Sequence, residues 1–138
     1  MVTKTAYSRG NNRHSFHYDE QHIIRLLAGK AATEIVLGEP DIGCNEDLQS
    51  AFGRVEAIID DICAYGFNSF IRSDQSYYVY ENRDRMVAQE ITKYYQAAKK
   101  ILIDNRSFLD AIVDGLMKKH TLTCSEIQAI RSGIGMIA

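Results

Sequence analysis

Apolar residues recur at three- and four-residue intervals through most of the chain, the spacing of amphipathic helices rather than of strands. The first such stretch starts near Tyr18 or Asp19 and places Ile23, Ile24, Leu27, Ala31 and Ile35 on one face, until Gly38 and Pro40 stop it. A second starts near Asn45, a capping residue, with Glu46 and Asp47 complementing the positive helix end. Its stripe of Leu48, Phe52, Val55, Ile59, Ile62 and Cys63 runs on to Gly66. A third, Arg83 to Ile103, turns Val87, Ile91, Tyr94, Ala98, Ile101 and Leu102 inward. A fourth, Arg106 to Lys119, is capped at Asn105 and striped by Leu109, Ile112, Val113 and Leu116. A fifth opens on Thr123-Cys124-Ser125-Glu126, a capping box ahead of Ile127 and Ile130.

About five helices on short connections predict an all-α helical bundle forming one domain. Its parts are a polar lead-in at 1–17, a helical core at 18–132 and a frayed tail at 133–138. Two segments break the pattern. Tyr77-Tyr78-Val79-Tyr80 reads as a short strand or ordered loop, and Thr3 to Tyr7 alternates weakly enough to read as a short strand. Gly29, inside the first helix, costs about 1 kcal/mol relative to alanine, which predicts close packing against another helix or backbone. With Ala28, Ala31 and Ala32 it makes a flat face of small residues.

Composition narrows the function classes. A chain of 138 residues with 46% hydrophobic and 25% charged residues is globular, long enough to bury about two thirds of its unfolded surface. A net charge of -2 supplies no long-range attraction to nucleic acid or an anionic membrane. The tyrosines at 77, 78, 80, 94 and 95 could supply a stacking surface, but Tyr77 to Tyr80 lack the interleaved cations of a nucleic-acid platform, so packing or a protein interface is the reading. No signal-like N-terminus and no run of about 18 apolar residues occurs, so a cytoplasmic chain without membrane contact is expected. Cys44, Cys63 and Cys124 are odd in number and widely spaced, the pattern of reduced thiols rather than of a disulfide framework or zinc knuckle. Cys63 falls on the apolar face of the second helix; Cys44 and Cys124 lie beside helix starts, without a base partner in sequence.

Candidate chemistry is sparse. His14, His17 and His22, with Asp19 and Glu20, are the densest potential metal ligands, yet His17 and His22 miss the i, i+4 alignment that turns two imidazoles to one zinc. A solvated lead-in to the first helix is the simpler reading. Glu46 and Asp47 are favourable first-turn acids, worth about 0.3–1 kcal/mol each through the helix dipole. The glycines form no phosphate loop, and no His-Glu-x-x-His occurs. No catalytic residue is expected within the chain.

Five segments in order nonetheless resemble the peptidase domain of FtsH-like ATP-dependent zinc metalloproteases. Leu26 to Glu39 is similar to that family's glycine-arginine-alanine-alanine-glutamate-glutamate helix, with Lys30 for the arginine and Thr33 for the first glutamate. Gly43 to Ala51 resembles its Thr-Gly-Ala-x-Asn-Asp-Leu-x-x-Ala segment, with Cys44 for the alanine, Glu46 for the asparagine, and Asp47-Leu48 kept. Tyr65-Gly66-Phe67 is similar to its Tyr-Gly-Met helix end, Asn105-Arg106 to its Leu-x-x-Asn-Arg continuation, and Leu122 with Glu126-Ile127 to its Leu-x-x-x-Glu-Ile close. Together they span about Asp19 to Ile130. Tyr7-Ser8-Arg9-Gly10 resembles the family's Pro-Arg-Gly segment.

The resemblance implies that Asp47 matches the third zinc ligand, the two histidines and the general-base glutamate lying well upstream in the family. It further implies zinc as cofactor of the intact family, peptide-bond hydrolysis as its reaction, and protein substrates, an ATPase module and a ring-shaped hexamer as its partners. Two of three protein ligands and the base are missing, so these 138 residues alone are expected neither to hydrolyse peptides nor to hold zinc tightly. A rescuing set of His14, His17 and Asp47 is the alternative. Either a C-terminal portion of a longer protease or a diverged short homologue fits, the latter serving as a non-catalytic interaction or assembly module and able to form a homo-oligomer.

Overall fold

The computed structural model describes residues 15–67 and 76–134, and among these the fold is helical throughout. Helix α1 spans Phe16–Leu37, two residues earlier than the spacing predicts, because Ser15 caps it by accepting the Tyr18 amide through Oγ at 3.2 Å. It ends at Gly38, whose φ of 80° is the left-handed stop that glycine adopts without penalty. After a short 3-10 turn at Ile42–Cys44, α2 spans Asn45–Asp60. Helix α3 spans Tyr77–Asp104, α4 Arg106–Lys119 and α5 Cys124–Ile134. The weak strand at 3–7 and most of the tail lie outside the described residues.

Three expectations give way to geometry. Tyr77 to Tyr80 is the first turn of α3 and not a strand or loop: Ser76 sits in extended backbone and its carbonyl accepts the Val79 and Tyr80 amides at 3.1 and 3.4 Å. At the other boundary, α2 stops at Asp60 rather than Gly66. The Ala64 amide reaches the Ile58 carbonyl at 3.1 Å across Cys63, which takes the left-handed position with φ 55°. Cys63 is therefore a half-buried turn residue, its thiol donating to the Asp60 carbonyl at 3.4 Å, and not part of a helix face. At Asn105, the side chain does not cap α4. It donates back to the Ile101 carbonyl at 2.9 Å, closing α3 instead.

The core is shared by α1, α2 and α3. Ile23, Leu27 and Ala31 of α1 meet Ala51, Val55, Ile58 and Ile59 of α2 and Val87, Tyr94 and Ala98 of α3. The buried stripe of α2 is rotated from the predicted one: Ala51 and Ile58 face inward while Phe52 is 40% and Ile62 46% exposed. Early α1 meets late α2, where Arg54 pairs with buried Asp19 at 3.2 Å, and later α1 meets early α2, so the two run antiparallel. Helices α4 and α5 pair with each other. Only Leu109 of α4 is fully buried and no residue of α5 is, with Ile127 and Ile130 partly buried. The capping box is present as predicted, Thr123 N donating to Glu126 Oε1 at 2.9 Å and Glu126 N to Thr123 Oγ1 at 3.2 Å.

Candidate functional site

The corner between α1 and α2 is where the chain's candidate chemistry lies. Gly38 ends α1, the 38–44 connection turns the chain back, and Cys44 opens α2, so Asp47 falls in that helix's first turn. There its carboxylate complements the helix dipole and stays exposed. A Cβ built on Gly29 would find Asp47 Oδ2 as its nearest neighbour, at 4.0 Å. The neighbouring helix expected against Gly29 is α2, which meets it through the Asp47 carboxylate. The Gly29 carbonyl in turn accepts the Thr33 hydroxyl at 3.0 Å.

A contact distance of 4.0 Å leaves space for a methyl group, so Gly29→Ala is expected to stabilise the fold by about 0.5–1 kcal/mol through helix propensity. Chemical denaturation reads this directly; a loss of stability would mean that the corner is tighter than its geometry.

Beside this corner, Glu34 is held between helices. It accepts the Tyr95 hydroxyl through Oε1 and the Lys30 ammonium through Oε2, with Lys99 Nζ 4.0 Å away. Lys30 and Lys99 also lie over the Tyr95 ring, 5.2 and 5.5 Å from its centroid. The Lys30 hydrogen bond first, and the Tyr95 hydroxyl second, hold the Glu34 carboxyl below its ordinary 4.5, while burial first and the Glu34 carboxylate second push the Tyr95 phenol up. A depressed carboxyl contributes stability that is present above its unfolded value and lost as pH falls through the folded one. Melting temperatures followed downward from pH 4.5 are therefore expected to fall more steeply for the wild type than for Glu34→Gln. Parallel curves would remove the ion pair from the account. Sequence reading finds the Lys30 and Glu34 spacing but has no signal for Tyr95, which comes from 61 residues away.

The histidines do not join this site as the sequence arranges them. His17 is exposed at the start of α1, His22 stacks on Tyr18 at 6.3 Å and has Arg25 3.4 Å from its Nδ1, and His14 lies outside the described residues. Asp19 is turned into the bundle to Arg54, and Glu20 accepts the Tyr94 hydroxyl at 2.9 Å. Among the described residues no three His, Cys, Asp or Glu side chains come together as a metal requires. That donor set does not fit zinc, which takes four ligands, so Asp47 stands here as one carboxylate and no more.

The chain is 33% identical to the chloroplastic ATP-dependent zinc metalloprotease FTSH 6 of Arabidopsis thaliana, over 80% of its own length. It is a homologue of the FtsH ATP-dependent zinc metalloproteases. FtsH of Trieres chinensis is 30% identical over 80% of this chain, and FtsH of Thermus thermophilus 27% over 81%. No family model matches. The chain spans about a fifth of the length of these FtsH relatives, 19% of the first and 20% of the other two. Among its described residues no helix is long and apolar enough to cross a membrane.

Proposed function

We propose that these residues form the C-terminal helical portion of an FtsH-type peptidase domain, with Asp47 as the one carboxylate they direct toward a zinc site. The observation that carries this reading is the placement of Asp47: first turn of α2, exposed, and facing Gly29 across a gap that no side chain fills. A ligand contributed from outside a His-Glu-x-x-His helix must be open to the metal, and the exposure of Asp47 at the α1–α2 corner supports that reading. The substrates are proteins, and the partner is the ATPase module that the relatives' printed names imply.

Alone, the 138 residues are inactive, because one carboxylate supplies neither a tetrahedral ligand set nor a base for water. Casein digestion by the purified chain with added zinc is expected to give no turnover. Turnover that disappears in Asp47→Ala would contradict the claim of inactivity.

The second reading is a non-catalytic assembly module that keeps the scaffold. It is favoured by the apolar surface of the chain's later helices, where Met117 is 75%, Ile103 55% and Leu116 40% exposed. The reading frame upstream of Met1 separates the two. An in-frame His-Glu-x-x-His supports the protease portion, whereas a start codon without one supports the module. Light scattering that finds only monomer at high concentration counts against the module.

A further inference from the structure

Adjacent tyrosines of α3 straddle α1. Tyr94 reaches Glu20 near the start of that helix, and Tyr95 reaches Glu34 near its end. The two phenols lie on neighbouring residues yet bond carboxylates fourteen positions apart, so they fix opposite halves of α1 on α3. Only the Tyr95 half leads to the corner. Glu34 is five residues beyond Gly29 and four before Gly38, where the chain turns back toward α2. Tyr95 therefore holds the last turns of α1, which lead through Gly38 to the turn whose exit carries Asp47.

We propose that Tyr95 and Glu34 are positioning residues for Asp47: their hydrogen bond locks the last turns of α1 onto α3, and so sets where the chain leaves α1 and where the Asp47 carboxylate stands relative to Gly29. The inference rests on the reading of Asp47 as a functional carboxylate. Lys30 and Lys99, both close to the Tyr95 ring, balance the carboxylate of the pair, which lets a charged group serve as a fixed strut in a half-buried place. The bond joins helices far apart in sequence, so it constrains the corner in a way that contacts within α1 or α2 do not.

The test is nuclear magnetic resonance on the full 138-residue chain, following the Asp47 side-chain carboxyl carbon and the Gly29 amide. Tyr95→Phe keeps the ring and its lysine contacts but removes the hydroxyl, and it is expected to shift both signals. Tyr94→Phe removes a like bond at the other end of α1 and is expected to leave both in place. Glu34→Gln still accepts the hydroxyl, so its signals are expected to lie closer to the wild type than those of Glu34→Ala. Unshifted signals in Tyr95→Phe, or equal shifts in Tyr94→Phe, would overturn the positioning role, since general loosening of α1 from α3 moves both variants alike. No metal enters this readout, so it stands or fails separately from the zinc reading.

Discussion

Leu27→Ala is expected to lower stability by roughly 3 kcal/mol, within the usual range for a leucine emptied from a closed core. Leu27 is 1% exposed and belongs to the cluster that α1, α2 and α3 share, so the lost methyl groups leave a cavity that no single helix can close by shifting. In a domain whose total stability is about 5–15 kcal/mol, that is a large fraction. The melting temperature should fall by about 10 °C. The same substitution at Leu116, 40% exposed on α4, is expected to cost under about 1 kcal/mol. Equal losses at the two positions would place the core elsewhere.

Arg83→Ala carries the second large effect. Arg83 donates through Nε to Asp60 Oδ2 at 2.8 Å, and one of its terminal nitrogens lies 2.7 Å from the same oxygen and donates to Glu56 at 2.8 Å. Another bond goes to Asp84 at 2.9 Å. Glu56 and Asp84 are 44% and 70% exposed and rehydrate readily once the guanidinium is gone. Asp60 is 13% exposed, and its Oδ1 has no hydrogen-bond partner among the described residues, so it would keep a charge in a dry place. A loss of about 2–3 kcal/mol is expected, below the full cost of a closed ion pair because part of the network is wet. Adding Asp60→Asn to the variant should recover part of it, because the orphaned charge is removed. Urea denaturation of the single and double variants measures both terms, and a double variant weaker than the single would show that Asp60 is needed for another reason.

The same ion pairs explain why the start of α3 was hard to read. Aromatic and β-branched residues in the run Tyr77 to Tyr80 favour extended backbone by a few tenths of a kcal/mol each, and short sequence windows see only that preference. Arg83, one turn later, is clamped to Glu56 and Asp60 of α2, and this tertiary bond draws the preceding turn into the helix with Tyr77 81% and Tyr78 74% exposed. By contrast, α4 spans the residues its pattern predicts, Arg106–Lys119, and a left-handed His120 with φ 66° ends it locally. The early end of α2 was not legible because cysteine rarely occupies the left-handed stop that Cys63 takes.

At the candidate site the division is similar. Asp47 in a first turn follows from the acids at the helix start, although the cap is Cys44 and not Asn45, which is the first helical residue, and the resemblance of Asp47-Leu48 comes from the sequence. Its neighbour across the gap, Gly29, and the bond from Tyr95 to Glu34 depend on how α1, α2 and α3 pack. Periodicity assigns residues to faces; it does not pair one face with another.

Zinc bound per chain at equilibrium dialysis tests the central claim most directly. With Asp47 as a single directed carboxylate, the purified 138 residues should hold far less than one equivalent, and Asp47→Ala should hold the same amount. One tightly bound zinc per chain, lost in Asp47→Ala, would contradict the account and point to a ligand set completed within these residues.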